Sequence, residues 1–184
     1  MRRNRIVIGV VGSGSQPHLH LSAPLGKWLG ESGYDLINGG GRGVMEAVAQ
    51  AFAEVPERAG LAIGIIPSLG SCEDSKQRAE YLPMSGYPNP SIDLPIYTHL
   101  HLSGDCGKET ASRNHIVILT ADIVVALPGG AGTRSEIELA LEYGKPLVIV
   151  NPAGEWDEFK EKPAAMAGSI DDAIEAVKKL ERRI

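Results

Sequence analysis

Three times along this chain a short run of branched aliphatic residues ends in a glycine-rich turn and gives way to a helical pattern. Ile6-Val7-Ile8-Gly9-Val10-Val11 leads into Gly12-Ser13-Gly14-Ser15, Tyr34 to Asn38 into Gly39-Gly40-Gly41-Arg42-Gly43, and Asp122 to Leu127 into Pro128-Gly129-Gly130-Ala131-Gly132-Thr133. Strands that are nearly continuous Val and Ile are buried on both faces, which is the situation of a parallel sheet covered by helices on either side. The expected fold is therefore α/β, a doubly wound and mainly parallel sheet.

The remaining pattern supports this. Strands are expected over 5–12, Tyr34–Asn38, Leu61–Ile66, Ile96–Leu102, Asp122–Leu127 and Pro146–Val150, and helices over 22–32, 43–55, 109–120, 133–143 and 170–182. Between Ser68 and Pro95 the alternation breaks at Pro83, Pro88, Pro90 and Pro95. A loop of that length in a compact chain is commonly functional. Tyr81, Tyr87 and Ile92 give it apolar anchors, so an ordered loop over a binding crevice is expected.

A chain of 184 residues with 43% hydrophobic and 22% charged residues is long enough to bury one core, and a single domain over 1–184 is expected. The formal net charge of −5 argues against a nucleic-acid binder held by a broad basic face. No apolar run reaches the ~20 residues a membrane helix needs, and the N-terminal apolar run is too short for a signal segment, so a cytoplasmic protein without a membrane partner is expected. Cys72 and Cys106 match no metal-ligand spacing, which leaves neither a disulfide scaffold nor a metal site, and no cofactor is required for folding.

The chemistry is expected at the turns. Gly129, Gly130 and Gly132 allow close backbone approach, and the free amides of Ala131 and its neighbours at a helix N-terminus face an anion with the helix dipole behind them. Phosphate is the natural occupant, with Thr133 as the expected N-cap. Gly39, Gly40, Gly41 and Gly43 occupy the equivalent turn after the second strand, and Gly12 and Ser13 that after the first. All three should share the sheet edge at which ligands of open α/β sheets bind. Arg113, with Asn114 beside it, opens a helix and is either a phosphate or ribose contact or part of a solvated face. Glu136 lies one turn inside the last helix. It either accepts sugar hydroxyls and stabilises an oxocarbenium ion, or simply complements the helix dipole, the role expected for Glu138. His99 and His101 alternate on a strand but lack a third ligand, and Cys106 is expected to be a buried free thiol near the mouth of the site.

The turns Gly39-Gly40-Gly41-Arg42-Gly43-Val44-Met45 and Pro128-Gly129-Gly130-Ala131-Gly132-Thr133-Arg134-Ser135-Glu136 resemble the two signatures of the LONELY GUY superfamily of Rossmann-like proteins, long mislabelled lysine decarboxylases. The resemblance implies Arg113 and Glu136 as catalytic residues if the chain is a nucleoside 5′-monophosphate phosphoribohydrolase. Enzymatic members usually carry a lysine after that arginine and a pair of glutamates closing the second motif, whereas this chain has Asn114 and Ser135. These variants resemble the branch of the molybdenum cofactor carrier proteins, which hold a phosphate-bearing pterin. On that resemblance the expected partner is a phosphorylated small molecule, pterin or nucleotide, with the molybdenum cofactor as cargo. The resemblance also implies a homodimer or higher homo-oligomer.

Overall fold

The computed structural model describes residues 5–184. In chain order its main elements are β1 (Val7–Val11), α1 (Leu19–Glu31), β2 (Asp35–Asn38), α2 (Val44–Ala53), β3 (Ala62–Ile66), α3 (Ser75–Ala79), β4 (Leu94–Tyr97), α4 (Asn114–Thr120), β5 (Ile123–Ala126), α5 (Ala131–Glu142), β6 (Leu147–Val150), β7 (Ala165–Ala167) and α6 (Ile170–Glu181). The strands form one sheet in the order β4-β3-β2-β1-β5-β6-β7. All its pairings are parallel, with Ile8 level with both Leu36 of β2 and Ile123 of β5. The expected α/β Rossmann-like fold is the one observed.

Alternate residues of each strand enter opposite cores, as the two-residue period of a strand requires. Ile8, Val10, Leu36, Ile123 and Val125 pack with α1, α2 and α6 through Leu25, Leu29, Val48, Phe52 and Val177. Val7, Val11, Ile37, Val124 and Ala126 pack with α4 and α5 through Val117, Ile118, Ile137 and Ala140. Helices α4 and α5, which precede and follow β5, therefore lie on the same face. This placement brings distant parts of the sequence to one site.

α1 and α2 lie close because Gly26 faces the Val48 carbonyl and Ala51, with no room for a Cβ. Gly26→Ala is expected to cost about 2–3 kcal/mol by overpacking, read as a lower urea midpoint with an unchanged slope.

Several boundaries differ from the sequence expectation, each for a local reason. The fourth strand is Leu94–Tyr97, not Ile96–Leu102, and its ladder to β3 closes with Thr98, whose N–H and hydroxyl both donate to the Ile66 carbonyl at 3.0 Å. His99 and His101 consequently lie in a loop. The helix expected over 109–120 starts only at Asn114, since the Ser112 N–H closes a turn onto Glu109 at 2.9 Å. A seventh strand, Ala165–Ala167, was not expected, its Ala-Met-Ala sequence carrying no β-branched residue. The segment 68–95 contains α3, whose N-cap Asp74 and Gln77 form a reciprocal capping box. Helix α5 begins at Ala131 with Gly130 as N-cap, so Thr133 sits inside the first turn and is not the cap. Among the described residues no helix is long and apolar enough to cross a membrane.

Candidate functional site

The turn after β1 holds the other two glycine turns together. The Ser13 N–H donates to the Pro128 carbonyl at 3.1 Å, and the Ser13 carbonyl accepts from the Val44 N–H at 2.9 Å. Its hydroxyl oxygen accepts from the N–H groups of Ser15 and Gln16 and so closes its own turn. Asn38, fully buried, shapes the second turn by donating to the Met45 carbonyl and accepting from the Gly40 N–H. Gly43 adopts φ 65° with its Cα against the Ser13–Ser15 backbone, a position that demands glycine on both counts. The three turns lie at the carboxyl ends of β1, β2 and β5, where the chain's path across the sheet reverses direction. Open α/β sheets bind ligands at such a point.

A cavity of about 360 Å³ opens there. Of the residues singled out in the sequence, Gly12, Ser13, Gly39, Arg113, Asn114, Gly130, Gly132, Thr133 and Glu136 line it. Gly40, Gly41, Gly43, Gly129 and Ala131 do not. Gly40 abuts Ile66, Gly41 lies under the Tyr87 ring, Gly43 packs on the first turn, Gly129 packs on the Thr133 hydroxyl, and the side chain of Ala131 is exposed. Gly14 and Ser15 of the first turn line it too, as do Met45, Tyr87, Ser103 and Gly104, which were not singled out as ligand contacts. Tyr87 is placed by Asn89, whose N–H and Nδ2 donate to the carbonyls of Gly40 and Gly41, both at 2.8 Å. The long loop therefore does form a wall of the crevice.

Two charged groups dominate the electrostatics. Arg113, the residue just before α4, is 4% exposed, and its Nε and Nη1 have no hydrogen-bond partner among the described residues. The guanidinium fits against Gly39, where a Cβ would collide with it, and lies 5.9 Å from the centre of the Tyr87 ring. Glu136 is 9% exposed and makes no hydrogen bond or ion pair to the described residues. Burial raises its pKa from the ordinary carboxylate range to about 7, against a smaller downward pull from Arg113. The N-cap Gly130 offers no side chain, and the first in-helix donor is Arg134, bonded to the Gly130 carbonyl at 3.0 Å, so the amides of Ala131 to Thr133 have no intrahelical acceptor. A buried cation, helix-terminal amides without an intrahelical acceptor and a carboxyl whose pKa burial raises are the groups that can accept an oxyanion.

Other residues raised by the sequence lie outside the crevice. Lys108 pairs with Glu138 at 3.0 Å and with Glu142 at 2.5 Å, which gives Glu138 a partner beyond the helix dipole. The His115 Nδ1 lies 2.7 Å from the Tyr143 hydroxyl. Cys106 is exposed, not buried, because it sits in a single 3₁₀ turn on the rim. Among the described residues no three His, Cys, Asp or Glu side chains gather as ligands for a metal ion.

Because Gly39 leaves the space that the guanidinium fills, Gly39→Ala is expected to displace Arg113 and weaken phosphate binding at least ~10-fold, with the fold retained. Isothermal titration with inorganic phosphate, alongside circular dichroism, checks this.

Comparison with known proteins adds to the geometry. The family described as SLOG cluster4 matches residues 5–182. An uncharacterized protein of Archaeoglobus fulgidus is 29% identical over 148 residues, 79% of this chain and 80% of that one. The molybdenum cofactor binding protein of Rippkaea orientalis superimposes with a TM-score of 0.74 at 26% identity, covering 98% of this chain and 99% of its own. The Moco carrier protein of Chlamydomonas reinhardtii superimposes with a TM-score of 0.73 at 26% identity, covering 98% of this chain and all of its own.

Proposed function

The chain belongs to the SLOG cluster4 family, and from that membership and the crevice together we propose that it binds a phosphorylated small molecule, as a carrier of the molybdenum cofactor. The observation that carries this reading is Arg113, a nearly fully buried guanidinium with two unpartnered N–H groups on a cavity that also holds the free amides of α5. A buried cation without a hydrogen-bond partner is costly to the fold and is retained where an anion will complete it. In this reading the pterin phosphate sits on the amides of Gly132 and Thr133 at the start of α5, surrounded by the Gly12-Ser13 turn, Asn114 and the Arg113 guanidinium that rests against Gly39. Its relation to the Rippkaea and Chlamydomonas proteins points to the cofactor as cargo.

Equilibrium dialysis of the purified protein against molybdenum cofactor, with retained molybdenum measured by elemental analysis, tests this. A stoichiometric amount is expected on the wild-type protein. No retention, in a protein that still binds inorganic phosphate, would reject the cofactor as cargo.

A second reading draws on Arg113 and Glu136 lining one cavity, which is the pairing that N-glycoside hydrolysis of a nucleoside monophosphate would use. An ionised Glu136 would have to stabilise positive charge developing at the sugar. Since burial raises its pKa to about 7, base release from AMP would increase as pH rises through that value and vanish in Glu136→Gln. The expected result for a carrier is no free base at any pH.

A homodimer is part of the same reading. The edge strand β4 leaves Leu94, Ile96 and Tyr97 exposed.

A further inference from the structure

Among the described residues the crevice contains one cation and one carboxyl group, and the proposed ligand brings a further oxyanion into the same space. Arg113 supplies a single positive charge, and Glu136 lines the same cavity without any hydrogen bond or ion pair that would hold its carboxylate in the charged form. The groups on the elements around it do not compensate. Lys108 is taken by Glu138 and Glu142, Arg134 pairs with Glu158 at 2.6 Å, His115 is engaged with Tyr143, and Asp105 and Cys106 on the adjacent 3₁₀ turn are exposed and carry no positive charge. Strands β5 and β6, Ile-Val-Val-Ala and Leu-Val-Ile-Val, contribute no ionisable group. An ionised Glu136 would therefore cancel Arg113 and set a second negative charge beside the ligand, at a buried position where like charges repel more strongly than in water.

Resting on the phosphate-site reading, we infer that Glu136 is the specificity-determining residue of this crevice: the bound oxyanion and its carboxyl share one proton, so the site takes up a proton as it fills. As a carboxylic acid, Glu136 donates a hydrogen bond toward the oxyanion and adds a donor to those of Arg113 and α5. A phosphate monoester fits this demand because it also titrates near neutrality and can supply the shared proton itself. A group that is fully ionised at every physiological pH is accepted only while Glu136 keeps its own proton. Cargo is then held at and below neutrality and released as the pH rises.

Sulfate is the probe that isolates the protein's contribution, since it does not titrate in the relevant range. Isothermal titration at about pH 6 and about pH 8.5 should show sulfate binding to the wild-type protein weakening about 30-fold, the change in the protonated fraction of a group titrating at about 7. Glu136→Gln, which keeps a neutral hydrogen-bonding side chain, should bind sulfate equally at both pH values. Equal wild-type binding at both, or the same slope in Glu136→Gln, overturns the inference while leaving the phosphate site standing. Absence of both sulfate and phosphate binding at either pH removes the phosphate site, and the inference falls with it. Circular dichroism at both pH values establishes that the fold persists in each protein.

Discussion

Arg113→Met is expected to abolish measurable phosphate binding while making the unliganded protein more stable. The two effects have one cause. The guanidinium is 4% exposed with Nε and Nη1 unpaired among the described residues, so the folded state bears a desolvation cost for which no internal bond compensates. Methionine has a similar length and no charge, and it can lie against Gly39 and the Tyr87 ring where the guanidinium now sits. Relief of an unpaired buried cation should raise stability by about 1–3 kcal/mol, read as a higher denaturation midpoint. Loss of a charge-assisted contact to phosphate should weaken binding about 100-fold or more. Only a binding residue gives opposite signs in the two measurements. If Arg113 instead held the fold together, the substitution would lower stability and affinity alike, and the site assignment would have to be abandoned.

The parts of this architecture that were legible in the sequence are those set by local chemistry. Strands such as Ile123-Val124-Val125-Ala126 announce themselves because both faces are buried, and glycine turns do so because backbone must pass close to backbone there. Arg113 and Glu136 could each be singled out, but whether they meet depends on α4 and α5 packing on the same face around β5. The walls were harder to read. Tyr87 reaches the crevice only because Asn89 is bonded to Gly40 and Gly41, and Gly104 is held through the Ser135 hydroxyl, which donates to its carbonyl at 3.3 Å. Such contacts span stretches of chain with no shared periodicity, and no local signal encodes them. The misplacement of the cap on Thr133 has a different origin. A hydroxyl is the usual cap, but Gly130 already has the extended conformation of an N-cap and leaves the amides beyond it without a side-chain acceptor. The departure from the usual cap is what leaves those donors open to a ligand.

The charge state of Glu136 should also be visible in stability without any ligand. Burial raises its pKa in the folded protein from the ordinary 4.5 to about 7, and the unfolded chain restores the ordinary value. Folding therefore binds a proton between those two values, so the contribution of this group is fully present below about pH 4.5 and is lost as pH rises through about 7. Each pKa unit corresponds to roughly 1.4 kcal/mol, so the wild-type protein should lose about 3 kcal/mol between pH 4.5 and about pH 8 relative to Glu136→Gln, which does not titrate. Urea denaturation of both proteins across that range measures the difference directly, with the other ionisable groups cancelling between them. A flat difference would mean that Glu136 ionises as an ordinary surface carboxylate, which is incompatible with a buried, unpaired position. Adding a saturating oxyanion should then steepen the wild-type curve, because bound anion favours the protonated carboxyl while Glu136→Gln has no proton to gain.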